Sequence, residues 1–405
     1  MSAKQTTLLA TVLALALMGF ARAAELPTKR AKVEVVFCLD TTGSMGGLLA
    51  GAQQKIWSIV NGIATGQPAP EIKVGLVAFR DRSDAYVTQL TDLTANLDDI
   101  HAKLFALKAQ GGGDGPESVN QALHEAVSQI SWASKDEKVY RVIFLVGDAP
   151  PHMDYSDDVK YAETCKAAVL KDIVINTVRC GTDRKTEEFW QDVAAKSEGR
   201  YTSIAQDGGV QVVATPYDGK LAELSGKLVS TGVYAGRAEL RKAAEGAQRR
   251  AMADAEELSK AKDEKVLAVA ADKSEFRGKS AAAAKAAPET SPAQAGMGMG
   301  SEAGEADLVT AYARDGAKAL EGKQAEELPG DMQKLSAEER EAFLKQKSEE
   351  RDAIQKQIGE LSKQRGTFIQ TELKKRGGDR GFDGVVLEML KEQGAKKGIS
   401  YGESK

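Results

Sequence analysis

Apolar and polar positions along this chain fall into two regimes. Over residues 31–234 short, unbroken apolar runs alternate with longer stretches of helical period. Unbroken runs belong to strands buried on both faces, so the pattern predicts an α/β fold, a mostly parallel sheet flanked by helices. Strands are expected over 33–39, 72–79, 139–146, 173–178 and 201–204. Helices are expected over 47–63, 97–107, 117–130, 157–170, 187–196 and 218–229.

Beyond Gly236 strand signals stop, and Ala, Glu, Lys and Arg dominate. Residues 236–277 read as a helical extension. Residues 278–304, rich in Ala, Gly, Ser and Pro, carry too little large apolar surface to order themselves and read as a flexible linker. An α-helical C-terminal region is expected over 305–405, with helical character over 306–320. Ser336 and Glu339 then spell a capping box that opens a further helix. Leu344, Arg351, Ile354, Ile358, Leu361, Arg365 and Phe368 follow at near-heptad spacing, but the two arginines and Gly359 interrupt the seam. A short amphipathic helix packed on a neighbour is therefore expected rather than a long coiled coil.

The first residues change the setting. Lys4, an apolar run over 8–20 and Ala21-Arg22-Ala23 have the parts of a secretory signal peptide, expected over 1–23. The run is shorter than the roughly 18 apolar residues of a membrane span, so no membrane insertion is expected after cleavage, and the destination is periplasmic or secreted. Three cysteines make no disulfide framework. Cys38 reads as core, and a pairing of Cys165 in a helix with Cys180 at a strand end has poor geometry. A net charge of -4 without a basic face argues against nucleic acid as a partner.

Candidate chemistry lies at the strand ends. In the extended segment after Leu39, alternation brings Asp40, Thr42 and Ser44 to one side. One carboxylate and two hydroxyls are hard oxygen ligands, suited to Mg2+, Mn2+ or Ca2+ and not to zinc or copper. Asp148 ends another apolar run, and ligands of open parallel sheets gather where the winding reverses. A third loop over 111–118 offers Asp114, Glu117 and Ser118, so three loops can close on one cation.

Asp40-x-Thr42-x-Ser44 with the strand-ending Asp148 resembles the metal-ion-dependent adhesion site of von Willebrand factor type A domains. The turn Ser197-Glu198-Gly199-Arg200-Tyr201 extends the likeness, which covers roughly half the chain. The resemblance implies a Rossmann-like sheet over 31–235 and a metal whose open position accepts a carboxylate from a protein partner. It implies direct contact of Thr42 and Ser44 with the metal, while Asp40 and Asp148 act through water or hydrogen bonds. Where many members supply threonine from the middle loop, this chain has Asp114, with Glu117 next. A third carboxylate leaves the cluster net negative, which holds the cation harder and weakens its pull on an incoming carboxylate.

Other readings compete. A metal-dependent hydrolase is one, but haloacid-dehalogenase-type phosphotransferases need aspartate where Thr42 stands. A nucleophile elbow around Ser44 needs glycine at the same place, and 111–118 lacks the Gly-Lys-Ser/Thr ending of a phosphate loop. A scaffold is another, its metal purely structural and its helical tail binding the partner. His152 is expected to be a surface histidine, residues 80–84 a solvated charge cluster, and Trp57, Trp132 and Trp190 helix-packing residues. The expectation is a non-enzymatic, cation-dependent binding protein. Asp114→Thr should weaken metal affinity while tightening an acidic partner; calorimetric titrations giving the opposite order would dispose of that charge argument.

Overall fold

The computed structural model describes residues 31–67, 69–113, 115–135, 139–286, 307–376 and 381–401. The expected signal peptide, Asp114 and residues 287–304 of the expected linker lie outside the described residues.

Six strands form one sheet: β1 Lys32–Asp40, β2 Glu71–Phe79, β3 Thr88–Thr94, β4 Val139–Gly147, β5 Ile173–Cys180 and β6 Tyr201–Ile204. Their order is β3-β2-β1-β4-β5-β6, with every pair parallel except β2 and β3. Side chains of β1 alternate between two cores. Val33, Val35, Phe37 and Leu39 enter one, and Val36 and Cys38 enter the other, as a strand covered on both faces requires. The edge strand β3 was not expected. Its sequence, TQLTDLT, buries only Leu93, because an edge strand facing solvent carries no continuous apolar run.

One face is covered by α1 Gly46–Ile63 and α2 Leu97–Ala106. The other is covered by α3 Val119–Ser128, α4 Tyr161–Leu170 and α5 Arg184–Lys196. The next helix, α6 Asp218–Ser230, leaves the sheet and builds a separate apolar cluster with α7 Ala238–Ser259, α8 Glu264–Ala286 and a long C-terminal helix. Short α9 Leu308–Asp315 and α10 Gly330–Gln333 precede that helix, α11 Ala337–Lys375, and α12 Phe382–Lys396 ends the series. The cysteines Cys38, Cys165 and Cys180 are free and buried. No helix among the described residues is long and apolar enough to cross a membrane.

Two expectations for the helical region are corrected. Residues 278–286 belong to α8 and not to a linker. Alanine has the strongest helix propensity, Ala281 and Ala284 are buried, and Gly278 admits a neighbour so closely that a Cβ there would lie 2.9 Å from Ile358 Cγ2. The helix after Ser336 is not short: α11 has 39 residues. Its capping box is formed as expected, with the Glu339 N–H donating to Ser336 Oγ at 3.2 Å and the Ser336 N–H to Glu339 Oε2 at 2.7 Å. The arginines that broke the apolar seam are what fix it. Arg351 Nε donates to Thr231 Oγ1 at 2.8 Å and pairs with Asp307. Arg365 donates to Asp218 Oδ1 at 2.7 Å and Asp272 Oδ1 at 2.5 Å, and all three side chains are buried.

Helix α12 returns to the sheet. Phe382, Val386, Met389 and Leu390 join the core on the face of α1, where Phe37 meets Phe144 at 5.7 Å and Phe382 at 6.2 Å. Buried Gln393 accepts from Tyr140 Oη at 2.5 Å and exchanges two 2.8 Å hydrogen bonds with Asn176. The sheet face is thus completed by a segment more than a hundred residues downstream of its last strand.

Removing one partner of a buried ion pair leaves the other charge stranded, at about 3–5 kcal/mol. Arg365→Ala should therefore destabilise the protein by about that amount in denaturant unfolding, whereas exposed Lys363→Ala should leave the midpoint unchanged.

Candidate metal centre

Strands β1 and β4 are neighbours, and the sheet order reverses between them, so Asp40 and Asp148 meet at the crevice where the flanking chain departs in opposite directions. Gly147 makes the approach possible. A Cβ there would lie 3.1 Å from Asp40 Cβ and 3.2 Å from Asp40 Oδ2.

Within the first loop, Asp40 Oδ1 accepts from the Thr42 N–H at 2.8 Å and from Thr42 Oγ1 at 2.6 Å. Thr42 Oγ1 stands 3.3 Å from Ser44 Oγ, so one carboxylate and two hydroxyls form a contiguous oxygen surface running from buried Asp40 to exposed Ser44. Asp40 is 1% exposed, and its Oδ2 meets no side-chain donor among the described residues. Burial pushes the Asp40 carboxyl up to about 7; the hydrogen bonds from Thr42 and from the main chain of Asp148 oppose the rise, and the charge of Asp148 adds to it. Asp148 Oδ2 accepts from Gln206 Nε2 at 2.6 Å, and the same amide reaches the Ser44 carbonyl at 3.3 Å.

The middle loop closes on this surface through its backbone. The Gly43 N–H donates to the Gly111 carbonyl at 3.2 Å and the Gln110 N–H to the Thr41 carbonyl at 3.0 Å. Gly111 and Gly112 have φ of +84° and +83°, and a Cβ on Gly112 would stand 3.2 Å from Thr42 Cβ and 3.5 Å from Glu117 Oε1. Buried Glu117 therefore flanks Thr42, and its own N–H donates to the Pro150 carbonyl, tying the middle loop to the one after β4. Asp40, Thr42 and Ser44 form one surface, with Asp148 close enough for its charge to act on Asp40 and Glu117 on the far side of Gly112 from Thr42; Asp114 lies outside the described residues. Among the described residues no three carboxylate, imidazole or thiolate side chains form a metal-holding group. The chemistry of the donor set, two hydroxyls and a buried carboxylate with no cationic partner, is that of an oxygen-loving divalent cation.

Residues 80–84 are not the solvated cluster their charges imply. Arg80 is 4% exposed and donates through Nε to the Thr41 carbonyl at 3.1 Å and through Nη2 to the Lys108 carbonyl at 2.6 Å. Asp81, also buried, accepts from Ser118 Oγ and Tyr155 Oη, both at 2.8 Å, while Asp84 accepts from the Gly112 N–H at 3.1 Å. Arg82, paired with Asp157 and Asp158, and Ser83 sit in solvent as expected. His152 is likewise buried rather than superficial, stacked on Tyr155 at 4.0 Å with Nδ1 2.8 Å from Asp154 Oδ1. The available signal was position: this charge pair follows the end of β2, beside Asp40 at the end of β1. Trp57 and Trp190 are core residues, and Trp132 is half-buried.

Gly112→Ala places a side chain in a left-handed conformation, at about 1–2 kcal/mol, and against Thr42. It should reduce cation affinity more than it lowers thermal stability without metal; equal affinity in calorimetry would show the loop to be indifferent to this contact.

Among solved structures, BatB from Bacteroides thetaiotaomicron shows 20% identity over 44% of this chain and 91% of its own, with a TM-score of 0.32. For the SpRpn10 VWA domain the values are 14%, 44%, 88% and 0.33. For an aerotolerance-related membrane protein from Bacteroides fragilis they are 18%, 44%, 93% and 0.30. An ariadne-like RING finger protein of Acanthamoeba polyphaga mimivirus is 25% identical over 154 residues, 38% of this chain; the match spans 15% of that protein's length. Residues 34–216 match the family model of the von Willebrand factor A domain. The crevice at the ends of β1 and β4 lies within that span, and over residues 34–216 the chain carries a von Willebrand factor A domain.

Proposed function

We propose that this protein is an exported, non-enzymatic binding protein whose A domain holds Mg2+, or Mn2+ or Ca2+, and uses it to grip an acidic group on a protein partner. The observation that carries the reading is the oxygen surface of Asp40, Thr42 and Ser44, with the buried Asp40 carboxylate paired to no cationic side chain among the described residues. A buried carboxylate with no cation beside it is costly, and a divalent ion supplies the missing charge. Thr42 and Ser44 are the direct ligands in this reading. Asp40 anchors the Thr42 hydroxyl and main chain, Gln206 holds Asp148 alongside, and Glu117 flanks the cation from the middle loop. When bound, the cation offers an open position that attracts a carboxylate.

Several observations support a binding rather than a hydrolytic role. His152, the histidine of the adjacent loop, is engaged with Asp154 and the Tyr155 ring. The helices after residue 236 share the core of the sheet through Val269, Phe276 and α12, which suits a rigid platform presenting the crevice. Export to the periplasm or cell exterior, with neither nucleic acid nor membrane as the partner, belongs to the same reading.

A ligand at a hundredfold excess over its dissociation constant stabilises by about 2.7 kcal/mol. Thermal unfolding of the full chain should shift upward with Mg2+, Mn2+ or Ca2+ relative to chelator, and Asp40→Asn should abolish the shift. Partner capture should then require the same cation. No cation-dependent shift in a folded protein would sink the proposal; metal binding with metal-independent capture would move the function to the helices.

A further inference from the structure

We propose that the groove between β2, β3 and α2 is a second binding site, for a small organic anion bearing a carboxylate or phosphate. The groove encloses about 450 Å³ and is lined by the polar side chains of Arg80, Tyr86, Gln89, Lys103, Lys108 and Gln110. That volume falls in the range of small-molecule sites, about 300–1,000 Å³. Three of these side chains are cations, and no carboxylate lines the groove.

Arg80 makes the case more than the lysines do. Its guanidinium is almost wholly buried, yet it hydrogen-bonds to two carbonyl oxygens and to no carboxylate among the described residues. Carbonyl dipoles and the face of Tyr86, 4.3 Å from the guanidinium carbon, are its compensation, and Nη1 makes no hydrogen bond to the described residues. A buried cation without a counter-charge is costly. The other buried arginines among the described residues, Arg141, Arg179, Arg277, Arg351 and Arg365, each reach an aspartate or glutamate, Arg141 at 3.5 Å. An anion in the groove gives Arg80 the partner that the chain itself withholds, and a guanidinium's planar fork matches carboxylate and phosphate geometry.

The rest of the lining suits such a ligand. Lys103 and Lys108 are exposed and form no ion pair among the described residues; Lys103 stands on the rim between this groove and an adjoining depression that it shares with Asp92 and Asp99. Gln89 and Gln110 supply amides for an organic body, above an apolar floor that includes Leu76 and Leu107. Tyr86 Oη is 2.7 Å from Thr41 Oγ1, which sets the groove directly behind the loop of the candidate metal centre while leaving its own chemistry cationic.

The test uses the full chain in chelator, so that it does not depend on the metal reading. Citrate, glucose 6-phosphate and inorganic phosphate are compared with glucose and with chloride at matched ionic strength, by calorimetric titration and thermal unfolding. Citrate or glucose 6-phosphate should bind and raise the unfolding temperature, glucose should not, and Lys103→Ala with Lys108→Ala should weaken binding at least tenfold while leaving the ligand-free unfolding temperature unchanged. Arg80→Lys, which keeps the charge and loses the fork, should also weaken binding. Phosphate alone matching glucose 6-phosphate would keep the anion site and remove the role of the organic body. No anion effect beyond chloride, or binding unaltered in the double-lysine variant, would overturn the proposal.

Discussion

A carboxylate at the end of a buried parallel strand has no access to bulk water, and Asp40 is in that position. The chain answers with Thr42, whose N–H and hydroxyl both turn back onto one carboxylate oxygen, and sets no side-chain donor against the other. The demand follows from topology. β1 lies between β2 and β4 with parallel partners on both sides, so its end opens into the crevice and not onto the surface. Gly147 removes the side chain that would separate Asp40 from the end of β4. The three loops around the crevice are arranged about this point, and their hydroxyls and backbone contacts have meaning through it.

Arg80 and Asp81, adjacent in sequence, hold those loops by different means. Arg80 ties the first loop to the segment after α2 through two carbonyls, and Asp81 receives the hydroxyls of Ser118 and Tyr155 from the start of α3 and the loop after β4. Glycine completes the closure at Gly112, whose positive φ and absent side chain let the middle loop lie against Thr42. The site is therefore positioned mainly by buried charge and backbone hydrogen bonds, both of which weaken if water enters.

The helical region is joined to the A domain by the same currency of buried charge. Arg351 and Arg365 anchor α11 to Asp307, Asp218 and Asp272, and Lys273 and Arg277 on α8 reach Asp98 at the start of α2. Such pairs fix one register among the many that an alanine-rich helix surface would tolerate, since a one-turn slip would strand every charge. Apolar contacts from α12 then close the sheet face, so the far end of the chain is part of the domain's core.

Much of this was legible in the sequence, because unbroken apolar runs and helical periods are local consequences of burial on two faces or one. The strands β1, β2, β4, β5 and β6, the helices between them and the contiguous oxygen surface of Asp40, Thr42 and Ser44 follow from spacing and strand ends. The edge strand β3, the helical state of residues 278–286, the length of α11 and the burial of Arg80, Asp81 and His152 do not. For several of these the deciding partner lies far along the chain: Ile358 for Gly278, Asp218 and Asp272 for Arg365, Ser118 and Tyr155 for Asp81, and the Lys108 carbonyl for Arg80; β3 depends instead on pairing with β2, and His152 on the neighbouring Asp154 and Tyr155. A charge written next to a strand end reads as solvated until a distant carbonyl or carboxylate replaces the water. Local pattern determined which segments are buried, and only the tertiary structure decided which charges are buried with them, because that depends on partners no local spacing encodes.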